Sequence, residues 1–459
     1  MKNFLKRVIF SAVFLACSVP AVDCITIRIT CRAKGIELEL FRSVIQEWES
    51  QTGNTVEIVT LPHSSNECLA LYKQWLGAGS FDVDILQMDI AWLGVFSENL
   101  EDLTKYLSEQ EISAITSDCF DAIANSMYDN GRLIALPAYT DCEVMYYRKD
   151  LLEKYNCKVP QSWQELYETA KFIQAEERKT NKRFVGYVFQ AKAFEMLTCN
   201  FVQLVDSFGG AIISNGKVVV NSKQCQDAFV FLMRCLEDTS TKSVLNYSEE
   251  EARGLFQVGN ALFMNSWPYA WSLMNDETTA VSGKIGIMAI PKSNVAGGKQ
   301  SGVLGGWFLA VNKYSKHANL AAQLVKFLTD KEQHKKRAAY AYAPAYKSLY
   351  DDPEILEINP FFATLKHSLE NAAVRPSGEF KKSYPRASTE IFNLINTGLT
   401  ESVGEKDKEK IATRYLNRLN RKLSKILNRQ GRNNKRRNRE SVFVRFGKYC
   451  KDLISSWGF

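Results

Sequence analysis

The sequence is poor in the features that mark several classes of protein. Its 459 residues include only 4 His, 25 Gly and 11 Pro, and its 11 Cys are widely spaced with no C-x-x-C pair. A collagen-like chain and a small disulfide framework are therefore excluded. Because no H-x-x-x-H or H-E-x-x-H arrangement occurs, a zinc site has almost no support, and we expect no metal or other cofactor.

The motifs of common enzymes are missing as well. There is no G-x-S-x-G, no G-x-x-x-x-G-K-[ST] and no G-x-G-x-x-G after a strand, which weakens an enzymatic interpretation. After the N-terminus, no segment offers about 18 uninterrupted apolar residues, so we expect a soluble mature chain.

What is present is the composition of a globular, multidomain protein, with 46% hydrophobic, 12% aromatic and 24% charged residues. The formal net charge is +7, but residues 404–459 carry 17 Lys/Arg against 5 Asp/Glu, and the body before them is net negative. Nucleic acid is consequently a poor partner for the body of the chain.

The N-terminus is typical of an export signal. Basic residues precede the apolar run 8–16, and small residues suited to cleavage follow at 18–21. We expect residues 1–21 to be removed, the mature chain to start near Val22, and the protein to be periplasmic. Lipoprotein anchoring at Cys17 is an alternative.

The cysteines leave two possibilities open. An exported chain can pair Cys24 with Cys31 or Cys225 with Cys235, but spacing alone does not establish the geometry of a disulfide. Buried free thiols are the alternative.

Hydrophobic periodicity predicts an α/β fold. Predicted strands lie at 25–29, 56–59, 83–88, 133–136, 144–147, 284–290 and 307–311, and helical patterns at 37–48, 68–76 and most of 163–274. The first three strands alternate with helices, which indicates a parallel sheet. Because strands return after a long helical insert, we expect a lobe that the chain leaves and re-enters.

Aromatic residues and carboxylates cluster at the ends of the predicted strands, where open α/β sheets bind their ligands. They are Asp89 and Trp92, Tyr139 and Asp141, Trp267, Tyr269 and Trp271, and Trp307 after Gly305 and Gly306. Sugars need this mixture, because their CH faces stack on aromatic rings while their hydroxyls need charged hydrogen-bond partners.

These features also have purely structural interpretations. Asp89 and Asp141 are suited to cap helices, and the pair Gly305 and Gly306 is suited to a turn. The cluster around Trp267 is different, because three large aromatics within five residues cannot all face one core, so we expect at least one to line a cleft.

Taken together, these segments resemble the extracellular solute-binding proteins of sugar ABC importers, in particular the trehalose/maltose-binding branch. The resemblance extends from about residue 25 to about residue 427. The segments that carry it are 88–94 (MDIAWLG), 146–152 (YYRKDLL), 265–271 (NSWPYAW), 304–307 (LGGW), 350–353 (YDDP) and 375–376 (RP).

This resemblance implies a two-lobed α/β fold, the periplasmic binding protein fold of type II, with a ligand cleft between lobes joined by crossing strands. The implied division is a signal peptide at 1–21, an N-terminal lobe at 22–138 and 288–331, a C-terminal lobe at 139–287 and 332–427, and a basic tail at 428–459. Proteins of this kind are not enzymes.

The resemblance also places sugar-binding groups in both lobes. They are Glu37 and Asp89 as hydroxyl acceptors, Tyr139 and Asp141 at the first crossing, Trp267 and Tyr269 as a stacking platform, the Gly306 amide, Trp307 stacking from the opposite side, and Arg375 bridging hydroxyls. The chain departs from the pattern in two places. Cys68 and Leu69 stand where an arginine is expected, and the glycine-rich turn after the first strand is reduced to residues 33–35. The resemblance therefore does not determine which sugar is bound.

The function that the resemblance implies is that of a monomeric, non-catalytic protein. It would capture an α-linked disaccharide such as trehalose or maltose and deliver it to an ABC permease. The alternative is a secreted glycosidase that uses Asp89 and Asp141 as paired carboxylates. The basic tail beyond Leu427 is either a solvated charge run or a segment that rests on an anionic membrane surface.

Overall fold

The computed structural model describes residues 24–33, 36–62 and 64–431, and the side chains of Ile36 and Glu37 are outside this description. The predicted signal peptide with Cys17 and the tail from residue 432 onward also lie outside the described residues. The last described helix, at 408–431, continues past Leu427, where the resemblance ends.

Two mixed sheets, two small two-stranded sheets within residues 128–133 and 213–218, and the helices around them form the described chain. The strands are β1 (Thr26–Cys31), β2 (Thr55–Thr60), β3 (Ile85–Asp89), β4 (Tyr128–Asp129), β5 (Arg132–Leu133), β6 (Leu136–Cys142), β7 (Val144–Arg148), β8 (Val185–Val188), β9 (Ile213–Ser214), β10 (Lys217–Val218), β11 (Ala261–Ser266), β12 (Ile285–Ala289) and β13 (Leu304–Val311). The α-helices are α1 (Ile36–Thr52), α2 (Ser65–Gly77), α3 (Leu93–Phe96), α4 (Glu109–Asp118), α5 (Asp121–Ser126), α6 (Lys149–Lys154), α7 (Trp163–Glu177), α8 (Glu195–Ser207), α9 (Lys223–Asp238), α10 (Glu249–Gln257), α11 (Ala270–Met274), α12 (Ala318–Leu328), α13 (Lys331–Ala338), α14 (Pro353–Ile358), α15 (Phe362–Glu370), α16 (Ser377–Phe380), α17 (Tyr384–Ser402) and α18 (408–431).

The first sheet combines early strands with one late strand. Its order is β2-β1-β3-β13-β6. Strand β1 pairs in parallel with β2 and β3, which confirms the predicted parallel arrangement, whereas β13 pairs antiparallel with β3 and β6. Because β13 follows all strands of the second sheet in the chain, the predicted departure and return are confirmed.

The second sheet has the order β12-β7-β11-β8. Strand β8 lies in the region that the sequence predicts as mainly helical, so that prediction is wrong at this point. All four residues of β8 are buried, and a strand buried on both faces lacks the alternation that distinguishes strand from helix.

Proline lies inside a strand in the first sheet. Strand β6 begins at Leu136 and continues through Pro137, whereas β5 ends at Leu133, so the predicted strand at 133–136 is wrong. Pro137 is tolerated because β6 is an edge strand, where a missing backbone N–H costs little pairing. The ladder also shifts register between Trp307 and Phe308, opposite this part of β6.

Three chain segments meet where the two sheets join. Glu143 alone separates β6 from β7, and its backbone N–H donates to the carbonyl of Val303 at 3.2 Å. The N–H of Leu304 donates to the carbonyl of Ala373, and the N–H of Ala373 donates to the carbonyl of Gly302, both at 2.8 Å. These contacts form the junction through which the chain passes between the sheets.

None of the nine cysteines in the described residues forms a disulfide bond, so neither the pair Cys24 and Cys31 nor the pair Cys225 and Cys235 is joined. All but Cys24 and Cys157 are buried. Burial raises the pKa of the Cys119 thiol to about 12, which makes it unreactive at neutral pH. No helix among the described residues is long and apolar enough to cross a membrane.

We expect Gly302→Ala to destabilise the junction between the sheets. A Cβ atom at Gly302 would lie 2.2 Å from the Glu143 carbonyl oxygen, so a backbone segment would have to move. The expected loss in the free energy of unfolding, measured by urea titration, is about 1–3 kcal/mol. Gly254→Ala in α10 is the control, because nothing lies within 4 Å of its Cβ position, and it should be neutral or stabilising. Equal effects of the two substitutions would contradict the prediction.

Candidate functional site

The end of β3 and the interiors of β13 and β6 bring many of the predicted sugar-binding residues together. The register between β13 and β3 places Trp307 opposite Asp89. The register between β13 and β6 places Trp307 opposite Tyr139 and Gly305 opposite Asp141. Residues far apart in sequence therefore share one region of the first sheet, because β13 lies between β3 and β6.

The glycine pair lies inside β13, so its interpretation as a turn is wrong. Gly306 has a φ of +133°, and a Cβ atom there would lie 3.0 Å from the Tyr139 carbonyl oxygen. A Cβ atom on Gly305 would lie 2.8 Å from Cζ3 of Trp267. The neighbouring strand and the indole ring therefore approach too closely for any larger residue.

Trp307 is held by two other side chains. Only 8% of Trp307 is exposed, and the ring of Trp92 meets it edge-on with the ring centroids 5.5 Å apart. The guanidinium carbon of Arg32 lies 4.4 Å from the Trp307 ring centroid, which is a cation–π distance. The indole is therefore fixed in orientation at the end of the first sheet.

The resemblance predicts an arginine at the position that Cys68 occupies. Arg32 supplies a guanidinium close to that position. Burial raises the pKa of the Cys68 thiol, and the nearby positive charge of Arg32 opposes this effect. The side chain comes from the residue that follows β1 rather than from α2. A cation is thus present beside Cys68 although the predicted position lacks one.

Arg375 joins two carboxylates from different parts of the fold. Its side chain is 3% exposed, and its Nη2 donates to Asp89 Oδ1 at 2.7 Å while its Nη1 donates to Glu195 Oε1 at 3.0 Å. Asp89 ends β3 in the first sheet, whereas Glu195 begins α8, which follows β8 of the second sheet. The Nε of Arg375 has no hydrogen-bond partner among the described residues.

Further hydrogen bonds hold the two carboxylates in position. Ser388 donates to Glu195 Oε2 at 2.6 Å, and the hydroxyl of Tyr384 donates to Glu195 Oε1. Asp89 also accepts the backbone N–H of Ala91 at 2.8 Å and caps the 3-10 helix Ile90–Trp92. The capping interpretation of Asp89 is therefore confirmed, but the same carboxylate also binds Arg375.

The structure gives different outcomes for the two remaining predicted carboxylates, Asp141 and Glu37. Asp141 is buried within β6 and starts no helix, so its interpretation as a cap is wrong. Glu37 belongs to α1, but its side chain lies outside the described part of the chain.

The aromatic segment after β11 reaches the same region from the second sheet. The hydroxyl of Tyr146 donates to the carbonyls of Trp267 and Pro268, at 2.9 and 3.1 Å, and so fixes the turn that carries the indole. Trp267 and Trp271 are half-buried, and the expectation that at least one aromatic of this cluster lines a cleft stays a prediction. Trp267 therefore packs on β13 from the side of the second sheet.

Tyr269 and two acidic residues lie next to this segment. The Tyr269 hydroxyl donates to Glu250 Oε1 at 3.2 Å, and burial together with the charge of Glu249 raises the pKa of Tyr269. Burial also raises the pKa of Glu249 to about 7, and the positive charge of Arg32 opposes that shift. Arg32 follows a strand of the first sheet and Glu249 begins α10, so these charges approach from opposite sides.

A buried polar network lies behind the site. The side chain of Asn265 donates to Glu143 Oε1 at 3.2 Å and to Asn200 Oδ1 at 2.6 Å, and it accepts from Tyr187 at 3.0 Å. Glu143 Oε2 has no hydrogen-bond partner among the described residues. Burial raises the pKa of Glu143 well above its usual value, which favours the neutral form of the carboxyl.

A cavity of about 430 Å³ adjoins the Arg375 network. Residues of α2 and Trp92 line one side, and Glu195 with the first turns of α17, including Tyr384 and Arg386, lines the other. Its volume lies within the range of about 300–1,000 Å³ that is usual for small-molecule sites. None of the predicted sugar-binding residues lines this cavity, although Trp92 contacts Trp307 and Glu195 contacts Arg375.

Sequence reasoning missed Arg32, Glu195, Glu249 and Tyr384. Arg32 directly follows a strand, so the rule that ligands bind at strand ends could have found it. The other three lie at helix starts, where acidic and polar residues are common, and nothing in their spacing distinguishes them. Within the described ranges, no group of three or more His, Cys, Asp or Glu could hold a metal ion.

The chain is similar to known transport proteins over most of its length. Residues 34–335 match the family described as bacterial extracellular solute-binding protein. A probable ABC transporter-binding protein of Deinococcus radiodurans is 38% identical over 405 residues, which cover 87% of this chain and 94% of that protein.

Solved structures of similar shape are also solute-binding proteins. Maltose-bound MalE3 of T. maritima has a TM-score of 0.77 and 34% identity, and the match covers 86% of this chain and 100% of that one. An ABC transporter solute-binding protein of Agrobacterium radiobacter in complex with ribitol has a TM-score of 0.74 and 20% identity, with coverage of 88% and 98%. The expected two-lobed fold is therefore confirmed, and the second likeness supports the fold alone.

We expect Arg375→Met to lower the free energy of unfolding by about 3–5 kcal/mol, because it leaves two largely buried carboxylates without their counter-charge. Chemical denaturation checks this value. Lys422→Met is the control, since it breaks a more exposed pair with Glu390 and should cost no more than about 1 kcal/mol. A small loss in both variants would mean that the Arg375 network does not stabilise the fold.

We expect Glu143→Gln to flatten the dependence of stability on pH. The folded-state pKa of Glu143 is raised, so its contribution is fully present below the unfolded pKa of about 4.3 and is lost as the pH rises. Unfolding free energies from pH 4 to 8 should therefore fall less steeply in the variant, which keeps the carbonyl that accepts from Asn265. Glu153→Gln on the exposed face of α6 should leave the slope unchanged. An unaltered slope in Glu143→Gln would contradict the assignment.

Proposed function

Because the chain belongs to the bacterial extracellular solute-binding protein family, we propose that it captures a sugar for an ABC importer. The proposed ligand is an α-linked disaccharide such as trehalose or maltose, bound between the two sheets. The observation that carries this proposal is the meeting of Trp307 and Trp267 with Asp89, Asp141 and Arg375 where strands of the first sheet face the segment after β11.

This set of groups suits a saccharide for physical reasons. The indoles of Trp267 and Trp307 offer apolar faces to the CH surface of a sugar ring. Charged groups form stronger hydrogen bonds with hydroxyls than neutral ones, and Arg375 still has an unpartnered Nε among the described residues. The side chains are held by hydrogen bonds and packing, so little ordering is required when a ligand arrives.

We propose further that ligand binding favours closure of two lobes, 22–138 with 288–331 and 139–287 with 332–427. A ligand that contacts both lobes has a higher affinity for the closed state and shifts the equilibrium toward it. Arg375 supports this proposal because it already joins Asp89 of the first sheet to Glu195 of α8. We propose also that the chain is exported through its signal peptide, acts as a monomer in the periplasm and delivers the sugar to a permease.

A thermal-shift screen of mono- and disaccharides tests the proposed ligand. A ligand that binds only the folded protein stabilises it by about 2.7 kcal/mol at a hundredfold excess over Kd. We expect trehalose or maltose to raise the melting temperature and to remain intact after long incubation. Stabilisation by polyamines or peptides and by no sugar would refute sugar binding, and release of monosaccharide would indicate the glycosidase alternative.

We expect Trp307→Ala to weaken disaccharide binding by about 1–3 kcal/mol, because it removes a stacking face. Isothermal titration calorimetry measures this loss, and Trp307→Phe should retain part of the affinity. Trp163→Phe is the control, since Trp163 is buried against Ser207 in the second lobe and should affect stability only. Unchanged affinity with a lower melting temperature in Trp307→Ala would make Trp307 a core residue instead.

A further inference from the structure

The cavity beside the Arg375 network is lined by two cationic side chains that have no ion-pair partner among the described residues. Lys73 on α2 lines one side of this cavity, and Arg386 on α17 lines the other side. Both side chains are exposed, and neither forms an ion pair or a hydrogen bond with a described residue. The acidic residue in the lining, Glu195, is already bound by Arg375, Tyr384 and Ser388.

The cavity adjoins the proposed sugar site through shared residues. It shares Trp92 with the packing around Trp307, and it shares Glu195 and Tyr384 with the network around Arg375. A substituent on a saccharide that stacks against Trp307 can therefore extend toward Lys73 and Arg386. Two cations that approach each other when a cleft narrows repel, and they do so more strongly as water leaves.

From this arrangement we propose that the saccharide carried by this protein bears an anionic group, a phosphate or a carboxylate, which binds between Lys73 and Arg386. This inference rests on the proposed function and narrows its substrate class. The guanidinium of Arg386 offers paired donors that match either anion, and the ammonium of Lys73 adds a compact charge. An anion between them replaces repulsion by attraction and so favours the closed state. A neutral sugar unit in the same place would leave both cations without a counter-charge.

Calorimetric titrations with matched sugars test the inference. The probes are trehalose and trehalose 6-phosphate, and maltose and maltobionate, in 50 mM NaCl. The first pair tests phosphate and the second tests carboxylate. We expect at least one anionic probe to bind tenfold or more tightly than its neutral partner, and this preference to shrink in 500 mM NaCl because salt screens charges near the surface.

In the variant Lys73→Gln/Arg386→Gln, the affinities for the anionic probe and its neutral partner should differ by no more than about twofold. The matched control is Lys217→Gln/Arg183→Gln, which changes the net charge equally at exposed positions that have no side-chain ion pair among the described residues, and it should keep the preference. Melting temperatures close to that of the unaltered protein verify that both variants are folded.

The inference is overturned if neutral and anionic partners bind equally, if the preference survives in Lys73→Gln/Arg386→Gln, or if inorganic phosphate alone binds as tightly as trehalose 6-phosphate. Tight binding of neutral sugars without a preference would leave the proposed function standing and remove only the anionic substrate class. Binding of no saccharide, neutral or anionic, would remove both.

Discussion

The candidate site depends on the ion pairs that Arg375 forms with Asp89 and Glu195. A buried guanidinium and two largely buried carboxylates are costly to remove from water, and they are tolerated only because they satisfy one another. Because Asp89 ends β3, Glu195 begins α8 and Arg375 precedes α16, these three segments must keep one relative arrangement. The surrounding polar groups, including Tyr384 and Ser388, extend it into α17.

The return of the chain through β13 gives that arrangement a rigid base. Strand β13 is buried along its whole length between β3 and β6, and its glycine pair lets Trp267 and β6 approach closely. The second sheet contributes Trp267 and Tyr269 from the segment after β11. The site is therefore assembled from strand ends and helix starts, whose backbones are held by sheets and cores, and it needs few groups from long loops.

The sequence predicted the parallel strands, the returning strand and most of the residues at the strand ends, because periodicity and strand-end chemistry are local signals. It missed β8, whose burial on both faces removes alternation, and it misplaced the strand around Pro137, because the tolerance for proline depends on β6 being an edge. Glu195 was missed for another reason. Its importance comes from Arg375, a partner distant in sequence, and no local pattern reports such a pairing.

The late position of β13 also has a consequence for how the chain becomes folded. Strands β3 and β6 pair through β13, so the central part of the first sheet is incomplete until residues 304–311 have been synthesised. Until then both strands present unpaired edges, which invite association with other chains. Pairing across such long sequence separation is also slow. A chain that stopped before Leu304 would therefore keep both of these edges unpaired.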